Sequence, residues 1–128
     1  VFAMPNLDPA TDTAEAAQYV ADLGRRDGAC EVVPIGAVTK AREGRELAEL
    51  GLMARHAGVR VFSDDGACVS DPLIMRRALT YLKPFDGVVA QHAQDPRLAG
   101  GNACAHESEL QGRLGLPGWP TVAESASR

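Results

Sequence analysis

The sequence predicts an α/β fold with a parallel sheet. Short apolar, β-branched runs alternate with stretches of helical periodicity, in the order βαβαβαβα. The apolar runs lack the polar alternation of a half-solvated strand, as expected when helices cover both faces of the sheet. Each run also closes on a polar residue, and the closures recur at about one βα unit, roughly 30 residues.

Val1–Met4 reads as a buried strand stopped by Pro5-Asn6. Asp12-Thr13-Ala14-Glu15 has capping-box spacing, with Asp12 as the acceptor and Glu15 three residues on. Ala16, Val20 and Leu23 then share one helical face, and Asp27-Gly28 ends the helix. Glu31–Val38 reads as the second strand, followed by a polar segment over 39–44. Leu47, Leu50 and Ala54 mark a second helix closed by Gly58. Val59–Ser63 is the third strand, ended by Asp64-Asp65-Gly66. Asp71-Pro72 opens the third helix, an acceptor before a proline at the first helical position, with Ile74, Ala78 and Leu82 facing inward. Gly87–Ala90 is the fourth strand and leads to Gln91-His92. Residues 95–103 read as loop, Glu107–Leu114 as a short helix, and 116–120 as a turn. Thr121 is the expected cap of a last helix. The chain opens inside an apolar run and stops at Glu124–Arg128 within that helix, so we expect a segment cut at both ends.

The composition excludes several classes. At 45% hydrophobic and 23% charged, the chain suits a globular domain, and with 5% aromatics its core must be aliphatic. A net charge of −4 gives phosphates no basic face to meet, so no nucleic-acid partner is expected. No apolar run reaches the ~18 residues of a membrane span. Cys30, Cys68 and Cys104 are odd in number and form no CxxC, which points to reduced cysteines and a cytoplasmic protein.

The polar closures are Asn6, Thr39, Asp65 and His92. In a parallel sheet they converge on the carboxyl-end face, where βα barrels build their active sites. An open doubly wound sheet is the other architecture compatible with four βα units. Its nucleotide-binding form carries a glycine-rich turn after the first strand. Pro5-Asn6-Leu7-Asp8-Pro9 has no glycine, and no GxGxxG occurs, so a partial (β/α)8 barrel is the better match.

Asp65 supplies hard anionic oxygen and His92 a neutral imidazole, both suited to zinc. Residue types alone leave other readings open. Asp64-Asp65-Gly66 has the composition of a plain turn, and His92 could be a satisfied buried histidine. Zinc also takes three or four protein ligands, more than this pair. Cys104 and His106 read as surface loop residues, His56 as a helix-end charge complementing the dipole, and Arg25-Arg26 and Arg76-Arg77 as solvated.

Five motifs occur in order: Met4-Pro5-Asn6, residues 34–39 (PIGAVT), residues 62–66 (FSDDG), Gln91-His92-Ala93, and residues 114–120 (LGLPGWP). Together they resemble the bacterial class I dihydroorotases of the amidohydrolase superfamily, across nearly the whole chain. The resemblance implies a zinc-bearing (β/α)8 TIM barrel carrying one or two ions. Residues 1–128 would supply strands 2 to 5, as one incomplete catalytic domain. It implies interconversion of N-carbamoyl-L-aspartate and dihydroorotate in pyrimidine biosynthesis. Asp65 and His92 would be metal ligands, and Asn6 would help hold the substrate carboxylate. Asp64 receives no role.

The same resemblance implies that the His-x-His-x-Arg motif, a further histidine and the catalytic aspartate lie outside this chain. The 128-residue polypeptide is therefore expected to be inactive alone, and its edge strands to promote self-association. Related hydantoinases and allantoinases carry a carboxylated lysine at the strand end held here by Asp65; Lys40 and Lys83 are remote from it. A non-catalytic homologue scaffolding aspartate carbamoyltransferase is a further alternative, and that enzyme or a second copy of the chain is a possible partner.

Overall fold

The computed structural model describes residues 1–127; Arg128, the last residue of the expected domain, lies outside them. The chain divides into two compact units, Val1–His92 and Ala93–Arg128.

In the first unit, β1 (Phe2–Ala3), β2 (Val33–Pro34), β3 (Val61–Phe62) and β4 (Val88–Val89) alternate with helices α1 (Ala14–Asp27), α2 (Leu50–His56) and α3 (Pro72–Leu82). β1 pairs with β2 and β3 with β4, both parallel. One parallel bridge, Gly36 to Phe62, joins the two pairs. It is carried by Gly36 N donating to Val61 O (3.1 Å) and Ser63 N donating to Gly36 O (2.9 Å). Spatial order thus follows chain order. The regular strands are shorter than the apolar runs: only Val33–Pro34 of the expected Glu31–Val38 is regular strand, and by Val38 the backbone donates to the Asp64 side chain instead.

α1 starts one residue later than the capping-box spacing suggests. Thr13 is the cap, accepting from Ala16 N at 3.2 Å, and Gly28 closes the helix at φ 66°. Such a cap stabilises a helix by about 1 kcal/mol. Asp12 cannot serve here because its carboxylate accepts from Ala41 N, 29 positions away, at 2.8 Å. The inner face is Ala14, Ala17, Val20 and Ala21, with Ala16 and Leu23 only half-buried. Leu47 lies outside α2, in an antiparallel bridge to Thr39. α2 ends with Ala57 as its cap residue, and Gly58 follows at φ 67°. α3 forms as the sequence predicts: Asp71 accepts from Leu73 N and Ile74 N, Pro72 is first, and Ile74, Ala78 and Leu82 are buried. Leu50, Met53, Val59, Phe62, Ala78 and Leu82 form the centre of an aliphatic core around one phenylalanine.

The second unit corrects three expectations. The segment 95–103 holds a short helix, α4 (Pro96–Ala99), capped by Asp95. Cys104-Ala105-His106 and the 116–120 segment are not plain loop and turn. They contain β5 (Ala105–His106) and β6 (Gly118–Trp119), paired in parallel. The last helix, α6 (Thr121–Ser125), follows α5 (Glu109–Arg113) and β6; its cap residue is Pro120, and Thr121 is already helical. Cys30, Cys68 and Cys104 are free thiols, and no helix among the described residues is long and apolar enough to cross a membrane.

Candidate functional site

β3 and β4 run parallel with Phe62 opposite Val89. Asp65 lies three residues past Phe62, and His92 three past Val89. Both residues thus follow the carboxyl ends of two neighbouring parallel strands. Asn6 leaves β1 on that face, and its Nδ2 donates to Asp65 Oδ2 at 2.7 Å. Asp65 is half-buried, while His92 is exposed, which overturns the reading of His92 as a buried core histidine. Asp65 and Gly66 do occupy a turn, with Gly66 at φ 71°. The turn and the site are thus not alternatives, since the turn carries the carboxylate.

Thr39, the fourth polar closure, is buried with Asp64 instead. Asp64 is 1% exposed. Its Oδ1 accepts from Val38 N at 2.8 Å and from Thr39 N at 3.0 Å, and its Oδ2 accepts from Thr39 Oγ1. Three donors satisfy a carboxylate that would otherwise be costly to bury. The pairing staples the end of β2 to the end of β3 directly beneath Asp65. Only the doubled acid of Asp64-Asp65-Gly66 hinted at this role, because the donors lie 25 and 26 positions away.

Two further residues brace the loop around Asp65. Arg42 Nη1 donates to the carbonyls of Asp64 (3.2 Å) and Asp65 (2.8 Å). The Gln91 side chain pairs with the Val69 backbone in both directions, Nε2 to Val69 O at 3.1 Å and Val69 N to Oε1 at 3.3 Å. That ties the segment after Asp65 to the residue before His92.

A carboxylate oxygen and an imidazole nitrogen on one sheet face have the donor chemistry of a zinc site. Asp65 and His92 carry two donors of the types such an ion takes, one carboxylate and one imidazole. Among the described residues no group of three or more His, Cys, Asp or Glu is placed to hold a metal. A groove of the first unit lies elsewhere, lined by Leu47 and by Leu73, Arg76, Arg77, Thr80 and Tyr81 of α3.

The fold and these strand-end residues define an α/β chain with polar chemistry gathered at the carboxyl ends of parallel strands. Residues 1–127 match the family model described as Dihydro-orotase-like, and the chain belongs to that family. It is 60% identical over 127 residues to a dihydroorotase of Leifsonia xyli and 58% identical to one of Streptomyces coelicolor. A dihydroorotase of Mycobacterium tuberculosis is 50% identical. Each alignment covers 98% of this chain and 29% of the relative, so the chain spans about 29% of the length of these curated relatives.

Proposed function

We propose that this chain is a segment of a zinc-dependent dihydroorotase, acting in the cytoplasm on N-carbamoyl-L-aspartate and dihydroorotate. The observation that carries the reading is the meeting of Asn6 with Asp65 beyond the carboxyl ends of the parallel strands, in a chain of the dihydroorotase-like family. The parallel order β1-β2-β3-β4, following the chain, supports strands 2 to 5 of a (β/α)8 barrel. A doubly wound sheet reverses its strand order at a switch point. Phe2 on β1 and Val88 on β4 are 60% and 59% exposed, at the two strands a closed barrel would flank with further strands. Residues 1–128 are thus an incomplete barrel domain.

Asp65 and His92 would hold zinc, as one ion or as part of a two-ion centre, together with ligands supplied from outside this chain. The chemistry supplied there would be Lewis-acid polarisation of the ring carbonyl and a lowered pKa for water. Asp65 fixes its carboxylate through Asn6. His92 offers an imidazole nitrogen from a segment braced by Gln91. Asn6, with its amide directed across the site, also binds the substrate carboxylate. A second copy of the chain or aspartate carbamoyltransferase is the partner in the assembled enzyme.

The test is an assay of the purified full-length protein on dihydroorotate, hydantoin and allantoin. Turnover of dihydroorotate alone supports the reading. Preference for hydantoin or allantoin assigns a different cyclic amide, and a metal-free, inactive protein favours a scaffolding role.

A further inference from the structure

Between β2 and α2 the chain passes through a short 3-10 turn, Lys40–Arg42. Ala41 and Arg42 both sit in the left-handed region, at φ 49° and 57°. Side chains with a Cβ rarely adopt that conformation, and such strain persists only where surrounding contacts enforce it. The contacts are present. Asp12 Oδ2 accepts from Ala41 N (2.8 Å), Thr39 O accepts from Arg42 N (3.0 Å), and Thr39 Oγ1 accepts from Gly44 N (2.9 Å).

The strained turn delivers the Arg42 guanidinium to the peptide groups on both sides of the Asp65 Cα. One nitrogen, Nη1, donates to the carbonyl before it (Asp64 O, 3.2 Å) and to the carbonyl after it (Asp65 O, 2.8 Å). Arg42 Nε is buried and makes no hydrogen bond. The guanidinium leaves one buried donor unspent, at a cost in stability. Its two bonds pin the peptides about which the Asp65 side chain pivots.

We infer that Arg42 is a positioning residue for Asp65, a role that rests on the reading of Asp65 as a metal ligand. It touches neither metal nor substrate. It acts by fixing the backbone from which the carboxylate is presented, as outer residues around metal sites do.

The test uses the full-length protein with Arg42→Met, Arg42→Lys and Asp65→Ala. Zinc affinity is read by competition with a chromophoric chelator, and amide exchange at Gly66 and Ala67 is read in the metal-free protein. Arg42→Met is expected to weaken zinc binding about 10–100-fold and to speed exchange at both amides, with kcat lowered more than KM is raised. Arg42→Lys is expected to recover most of the loss, because a single ammonium can make both bonds that Nη1 makes. Wild-type zinc affinity in Arg42→Met, beside a zinc-deficient Asp65→Ala, overturns the positioning role alone. So does a loss of thermal stability in Arg42→Met with zinc affinity unchanged. Undiminished zinc affinity in Asp65→Ala overturns the metal reading and this role with it.

Discussion

Asn6 and Asp65 lie 59 positions apart in sequence and meet in a hydrogen bond of 2.7 Å, amide to carboxylate. The bond links the first strand of the parallel set to the third across the carboxyl-end face. It leaves the Asp65 carboxylate aimed by a neutral donor, which does not compete with it for a cation. Asn6→Ala in the full-length protein removes this donor and, on the proposed reading, one contact to the substrate carboxylate. KM for dihydroorotate should rise about tenfold or more, the equivalent of one hydrogen bond to a charged group. Steady-state kinetics check this, and an unchanged KM would remove Asn6 from the substrate site.

Asp64 is expected to matter for stability where Asp65 matters for metal. Asp64→Ala leaves Val38 N, Thr39 N and the Thr39 hydroxyl hydrogen without their acceptor in a buried setting. The loss should be about 3 kcal/mol or more. Asp64→Asn keeps an acceptor for the two amides, and the Thr39 hydroxyl can turn to accept, so it should cost about 1–2 kcal/mol. Denaturant unfolding of the two variants gives the ranking; equal stability would contradict the staple.

Gly24 sits inside α1, where alanine has the better helix propensity by about 1 kcal/mol. A Cβ there would collide with Val32 Cβ. Val32 is β-branched and cannot swing clear, and overpacking of this kind costs about 1–3 kcal/mol. The clash wins, so Gly24→Ala should lower the melting temperature. A rise would show that the 28–32 segment yields easily.

The helices were more legible in the sequence than the site. Asp71-Pro72 announces α3 because acceptor and proline are adjacent and act locally. Asp95-Pro96 carries the same signal for α4, and the glycines at 100 and 101 obscured it. The choice between Asp12 and Thr13 as cap depends on Ala41, which no local window contains. β5 and β6 are two residues each and paired across 13 positions, too short for any periodicity. Asn6, Asp65 and His92 were visible as polar strand ends, since parallel strands place their ends together. Arg42 and Asp64 were not, because their partners lie on other elements.

Asp95 has its pKa lowered below the ordinary 3.8, chiefly by the side-chain hydrogen bond from Arg97, with help from the Arg97 and Leu98 amides. A carboxyl depressed by folding contributes stability that is present above its unfolded pKa and lost as pH falls through the folded one. The α4 cap should therefore hold at pH 5 and above, begin to weaken below about 3.8, and be lost at still lower pH. Amide exchange at Arg97 and Leu98, corrected for intrinsic rates and followed from pH 6 to 2, reads this. Protection unchanged down to pH 2 would contradict it.

Asp65 and His92 are proposed to hold zinc in the full-length protein. Zinc content and affinity, measured for the wild type, Asp65→Ala and His92→Ala, test it most directly. The account predicts a zinc-loaded wild type. Each variant should weaken binding by more than the roughly 10–100-fold typical of an outer partner. Full zinc content and wild-type affinity in either variant would contradict it.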